Sequence, residues 1–228
     1  GGPRHGGVLS DVFARVGSFS YQGCPVVQVG TMVEINSDDV ILDNMWIWHA
    51  DHDDCGTEPK KKLYGKSDMC RSGAGLAVNG DRVTSYGLSV EHVLSGDNVR
   101  WSGEEGTTFF YQAELPYHHE DFGKLGYSGY AVAPSVRSHQ AAGLGVYIIG
   151  PTIKVRSAVI FPPGAHVRNI ITVVIEGRLA QFEHAACSRR DARGRSGPGA
   201  DRLLCVAPQS CDGIRCALVE LPAAPGRG

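Results

Sequence analysis

No convincing helix can be drawn on this sequence. No stretch of ten or more residues repeats apolar side chains at helical spacing between capping residues. Long apolar runs are missing too. The longest, IITVVI at 170–175, is interrupted by Thr172 and falls far short of the roughly 18–20 residues a membrane-crossing helix needs. It reads as a buried strand. Basic charge is not in excess: 22 Lys and Arg face 24 Asp and Glu, a net charge of −2, which argues against nucleic acid or an anionic membrane surface as partner. The seven cysteines contain no C-x-x-C pair, so a zinc site is not expected, and an odd count leaves at least one outside any intrachain pairing. Cys55 and Cys70 bracket a polar loop that a disulfide would restrain, and two free thiols fit the sequence equally well. The chain opens Gly1-Gly2-Pro3, with neither an initiator Met nor a leader, and is expected to be part of something longer.

What is present is a succession of short β-rich runs. With 228 residues, 42% of them hydrophobic and 20% charged, the chain can bury a core. The run VLSDVFARV at 8–16 suits a strand and loop, since Gly and Pro crowd both ends. Strand-like runs follow at 32–35, 40–42, 45–48, 83–90, 107–112, 135–138, 147–150, 155–161 and 169–175, separated by Asn, Asp and Gly. After the loop between Cys55 and Cys70, turn-to-strand transitions recur at roughly 25–30 residues. That period predicts an all-β, right-handed parallel β-helix in which each coil completes its neighbour's core. A β-sandwich is the rival, but paired strands joined by Asn-Gly turns are absent apart from Asn79-Gly80.

Two carboxylates, Glu91 and Glu114, end apolar strand-like runs and stand 23 residues apart, about one coil. Coiling would place them on one face, one rung apart, roughly 4.8 Å between backbones. Like charges that close resist ionising together, which would keep one acid able to give a proton. The ordinary alternative is a pair of solvated strand-end carboxylates. Nearby, Trp48, Tyr111 and Tyr117 can offer flat faces to sugar rings, and Asp51, His52, His92 and Gln112 can hydrogen-bond hydroxyls. Trp46 and Tyr111 fit the core as readily, and only one of Trp46 and Trp48 is expected to be exposed. His118-His119-Glu120-Asp121 and Asp51-His52-Asp53-Asp54 lack the spacing of a helical metal site and read as solvated loops, as does Lys60-Lys61-Lys62.

Past Cys187 the composition shifts to Arg, Gly, Pro and Ala with no aromatic residue and no Lys. Residues 1–187 are therefore assigned to the β-helix, and 188–228 to a low-complexity tail expected to be disordered and not to continue the coils.

Four motifs together carry a family likeness: GVLSDVFARVG at 7–17, VILDNMWIWHADH at 40–52, YGLSVEH at 86–92 and YQAELPY at 111–117. They resemble glycoside hydrolase family 55, over roughly residues 6–185. The resemblance implies tandem right-handed β-helices of the pectate-lyase-like kind, secretion, and exo-acting, inverting hydrolysis of β-1,3-glucan by a monomer needing no cofactor and no metal. It implies that Glu114 is the general acid and that Glu91 holds the attacking water or tunes its partner. Gln112, His92, Trp48, Asp51, His52 and Tyr117 would contact the polysaccharide. Family members often carry an acid and a Trp where Gln140 and Ala142 stand here, which bears on substrate affinity. An inverting pair usually stands about 6.5–9.5 Å apart, so adjacent rungs require the two side chains to splay, or else a base other than Glu91. A glycan-binding β-helix without catalysis is the alternative. A pectate-lyase-like enzyme ranks last, because no Asp cluster for Ca²⁺ recurs in consecutive coils.

Overall fold

A computed structural model describes residues 6–17, 27–50, 70–117 and 119–189, and two later strands at 203–206 and 216–221. One large sheet holds β1 (Val8–Ser10), β2 (Phe13–Val16), β5 (Ile41–His49), β8 (Thr84–Glu91), β10 (Gly106–Glu114), β12 (His139–Ile149), β14 (Ala165–Ile175) and β17 (Cys216–Leu221). The second holds β4 (Val33–Ile35), β7 (Leu76–Val78), β9 (Val99–Trp101), β11 (Tyr130–Val132), β13 (Val155–Phe161), β15 (Phe182–Arg189) and β16 (Leu203–Val206). The short β3 (Val27–Val29) and β6 (Cys70–Ser72) pair with each other, and α1 spans only Glu120–Lys124. Successive strands of the large sheet pair in parallel, each with the strand one circuit later, as a β-helix requires.

Each circuit turns a corner inside its long strand. Asn44, Gly87, Phe110, Gly143 and Asn169 all have positive φ, between 52° and 75°, and occupy equivalent positions in consecutive coils. Pairing skips these residues: Asp43 is opposite Tyr86, and Met45 opposite Leu88. Gly suits this conformation because it has no Cβ to clash, and Asn because its short polar side chain can hydrogen-bond locally. The corner divides the large sheet into two outer faces. Its second arm carries the predicted acids.

The core is built from columns that run through the stack. Met45, Leu88, Tyr111 and Leu144 form one, and Ile47, Val90, Ala113 and Val146 the next, all of them buried. Burying an aliphatic side chain of this size contributes roughly 1.5–3 kcal/mol, so the shared columns supply what no single coil could. Alternation then forces residues 46, 48, 89, 91, 112 and 114 outward.

Two expectations need correcting. Trp46 and Trp48 do not split between core and surface. Residues two apart on a strand share a face, so both lie outside and the buried Ile47 stands between them. The chain past Cys187 also enters the fold at two places. β17 adds a parallel strand beside β14, and β16 runs antiparallel to β15, setting Cys205 opposite the disulfide-bonded Cys187. The average composition of 188–228 hid the short apolar runs LLCV and CALVEL, which are long enough to extend an open stack. The 51–69 stretch, with Cys55, lies outside the described residues, as do most of 190–228.

Candidate active site

The outer side of the second arm presents two rows of side chains. The first runs Arg15, Trp48, Glu91, Glu114 and Tyr147 across β2, β5, β8, β10 and β12. The second runs Phe13, Trp46, Ser89, Gln112 and Gly145 across the same strands. Glu91 and Glu114 are direct register partners, one rung apart, as their spacing predicts. Among the site residues named from sequence, Glu91, Glu114, Gln112, Trp48, His92 and Tyr117 come together here. Asp51 and His52 lie outside the described residues.

The two carboxylates sit in different surroundings. Glu91 accepts from Trp46 Nε1 (3.0 Å), Ser89 Oγ (2.7 Å) and Gln112 Nε2 (3.3 Å). Those donors belong to the second row, so the carboxylate leans toward the start of its strand. Glu114 leans the other way. The Tyr117 hydroxyl donates to its Oε1, and His92 Nε2 lies 3.2 Å from the same oxygen. The two acids therefore share no hydrogen-bond partner among those described. Only 18% of the Glu114 side chain is exposed, so its proton chemistry runs beside protein rather than in bulk solvent.

His92 is almost fully buried. Its φ is 59° at the corner closing the second arm, and the residue is 4% exposed. Trp48 Nε1 donates to its Nδ1 at 3.2 Å, and the Tyr117 ring lies against it at 4.8 Å between centroids. The ring is thus walled in by site residues. Gln112 remains exposed, and Trp48 half-exposed, in keeping with substrate contact.

Aromatic groups missed from sequence border the two rows. Phe13 stacks on Trp46 at 4.6 Å, Trp46 on Trp48 at 5.6 Å, and the Arg15 guanidinium sits 5.4 Å from the Trp48 ring centre. Trp46 is 43% exposed while its indole N–H holds Glu91, so one face can meet a sugar without releasing the acid. Tyr147 flanks Glu114, and the absence of a side chain at Gly145 leaves room for its ring: a Cβ there would lie 3.1 Å from it. Carrying the coil register one circuit past Glu114 would have reached Tyr147. Applying the two-residue strand period to Trp48 would have reached Trp46.

On the first arm, across the corner, Gln140 and Ala142 line an open cavity of about 470 Å³ with Phe109, His166 and Arg168. Among the described residues that line it there is no carboxylate. Among the described residues no three His, Cys, Asp or Glu side chains converge to hold a metal ion.

The fold is that of a parallel β-helix, and the outer face of its second arm sets a carboxylate pair beside stacked aromatic rings. Comparison gives the family. Residues 1–114 match the model of the LAM55 pectate lyase-like domain. The chain is 35% identical over 188 residues to an exo-β-1,3-glucanase of Streptomyces sp. (strain SirexAA-E / ActE), covering 77% of this chain and 28% of that protein. The solved structure of sacteLam55A from Streptomyces sp. SirexAA-E superposes with a TM-score of 0.64 at 29% identity, over 86% of this chain and 34% of that one. A variant of that enzyme in complex with glucose gives the same TM-score at 30% identity, over 79% and 32%. The chain belongs to glycoside hydrolase family 55 and spans about a third or less of the length of these relatives.

Proposed function

We propose that the protein is a glycoside hydrolase acting on β-1,3-glucan, with inversion at the anomeric carbon and by exo attack. The register pairing of Glu91 with Glu114, combined with their separate hydrogen-bond partners, carries this reading. Protonated Glu114 gives its proton to the glycosidic oxygen as the bond from that oxygen to C1 breaks. Water adds to C1 from the opposite face, and its proton passes to the base. Glu91, on the next rung, positions that water or tunes the acid. Trp46, Trp48 and Tyr147 supply apolar faces to the glucan, and Gln112 a hydrogen bond. No cofactor or metal takes part, and the chain acts as a monomer. The relative named exo-β-1,3-glucanase supports the substrate class. A disulfide at Cys187 is in keeping with secretion, since such bonds persist in oxidising compartments.

Glu114→Gln keeps the side chain's size and removes the proton. Laminarin hydrolysis followed by reducing-sugar release is expected to fall by about 10²–10⁴-fold with the melting temperature unchanged, and unaltered turnover would refute the assignment. One observation favours the reading without catalysis. Gln140 and Ala142 leave their cavity with neither an acid nor a stacking ring of their own. Glucan binding by the unmodified chain without sugar release would select it.

A further inference from the structure

The glycosidase reading gives His92 no direct part in proton transfer, and the residue is 4% exposed. Its position is nevertheless built from several elements. The backbone N–H of His92 donates to the Glu114 carbonyl at 2.8 Å, fixing the residue against the next coil. The Trp48 indole comes from the previous coil, and Tyr117 from the segment after β10.

Hydrogen-bond chemistry sets the state of the ring. An indole N–H can only donate, so Nδ1, which receives it at 3.2 Å, must be the unprotonated nitrogen. The imidazole proton then sits on Nε2, which lies 3.2 Å from Glu114 Oε1 in a bent contact. The Tyr117 hydroxyl meets the same oxygen. The Tyr117 hydroxyl occupies Oε1 and the His92 N–H edge stands beside it without the alignment of a hydrogen bond, so the acid's own proton belongs on Oε2.

We propose that His92 is a positioning residue: Trp48 fixes it as the Nε2–H tautomer, and that N–H, with the Tyr117 hydroxyl, orients the carboxyl of Glu114 so that Oε2 carries the transferable proton. On this account the indole edge of Trp48 works for the acid, while its face remains available to the glucan. The same geometry explains why a histidine occupies a left-handed corner, where a bulky side chain is uncommon. Asn or Gly would suit the backbone better, but neither reaches from Trp48 to Glu114.

The inference rests on Glu114 being the acid, and its test is chosen to succeed or fail apart from turnover. Long-range ¹H–¹⁵N correlation spectra of the 228-residue chain at pH 7 report the His92 tautomer whether or not the chain hydrolyses glucan. The expected spectrum shows neutral imidazole protonated at Nε2, and Trp48→Phe, which removes the donor, shifts it toward a mixture of tautomers. A ring protonated at Nδ1, or an imidazolium, overturns the proposal, as does a spectrum that Trp48→Phe leaves unchanged. Activity gives a second arm. His92→Gln keeps an amide N–H in reach of Glu114 and is expected to retain turnover within about tenfold. His92→Leu is expected to lose about 100-fold in kcat with KM little changed. Equal loss in the two variants overturns the positioning role. An inactive wild-type chain with the Nε2–H tautomer would instead remove the glycosidase reading and leave the geometry standing.

Discussion

Strand β10 carries polar side chains on both of its sides, and each side leads to a buried histidine. Outward, Glu114 meets His92. Inward, Thr108 meets the Tyr130 hydroxyl at 2.8 Å, and that hydroxyl meets His139 Nε2 at 2.9 Å. The two rings are almost equally buried, at 4% and 0% exposure. Their partners differ. His139 sees neutral hydroxyls and the edge of Trp101 at 4.8 Å between centroids, and burial pushes its pKa down to about 4. His92 sees the carboxylate of Glu114, part of which reaches solvent. A buried histidine therefore indicates chemistry only when its neighbour can exchange or redirect a proton. The inner cluster is a structural network, in which leaving a buried group unsatisfied costs stability.

That contrast can be broken from either side. The largest effect expected is on the outer cluster, where Glu114→Gln abolishes most turnover without moving the melting temperature. The inner cluster shows the reverse. Its pH sign follows from linkage: His139 has a folded pKa below its ordinary value of 6.5, so the unfolded chain binds more protons between roughly pH 6.5 and 4. The stability the neutral ring contributes is fully present above pH 6.5 and is lost as pH falls toward 4, by about 3 kcal/mol for a shift of this size. Denaturant unfolding at pH 7 and pH 4.5 measures it. A His139→Gln variant, less stable at pH 7 by about 1–3 kcal/mol, is expected to flatten the dependence without altering kcat. If that variant loses activity and keeps its stability, the division between the clusters is wrong.

Smaller effects sharpen the contrast. Tyr117→Phe removes the hydroxyl that donates to Glu114 Oε1 and is expected to reduce kcat by about tenfold, in steady-state kinetics, with stability within about 1 kcal/mol of the parent. The smallest change concerns the corner between the two arms. Phe110 is 78% exposed with φ of 57°, a poor conformation for a bulky residue. Replacing it with Asn is expected to stabilise the chain by about 1 kcal/mol, read from the denaturation midpoint, since little packing is lost and backbone strain is relieved. A destabilised Phe110→Asn chain would show that the ring is held by contacts worth more than the strain.

Much of this arrangement was legible in the residues. The 23-residue interval between Glu91 and Glu114 announced one coil, and the register pairs them directly. Their side chains take separate sets of partners, which the interval alone does not encode. Other features depend on three-dimensional contacts that linear spacing does not encode. His92 looked like one more polar residue at a strand end. Its burial comes from Trp48 and Tyr117, which arrive from other coils. Trp46 was assigned by how often tryptophan is buried rather than by its two-residue distance from Trp48. The strands β16 and β17 were lost in the average composition of a Gly- and Arg-rich segment, although six residues suffice to add a strand to an open edge.

The direct test of the central claim is the configuration of the first product. Proton NMR of a laminarin digest, recorded before mutarotation equilibrates the sugar, is expected to show α-glucose released by the chain and none by Glu114→Gln. Release of β-glucose, or of the same α-glucose by the variant, would contradict it.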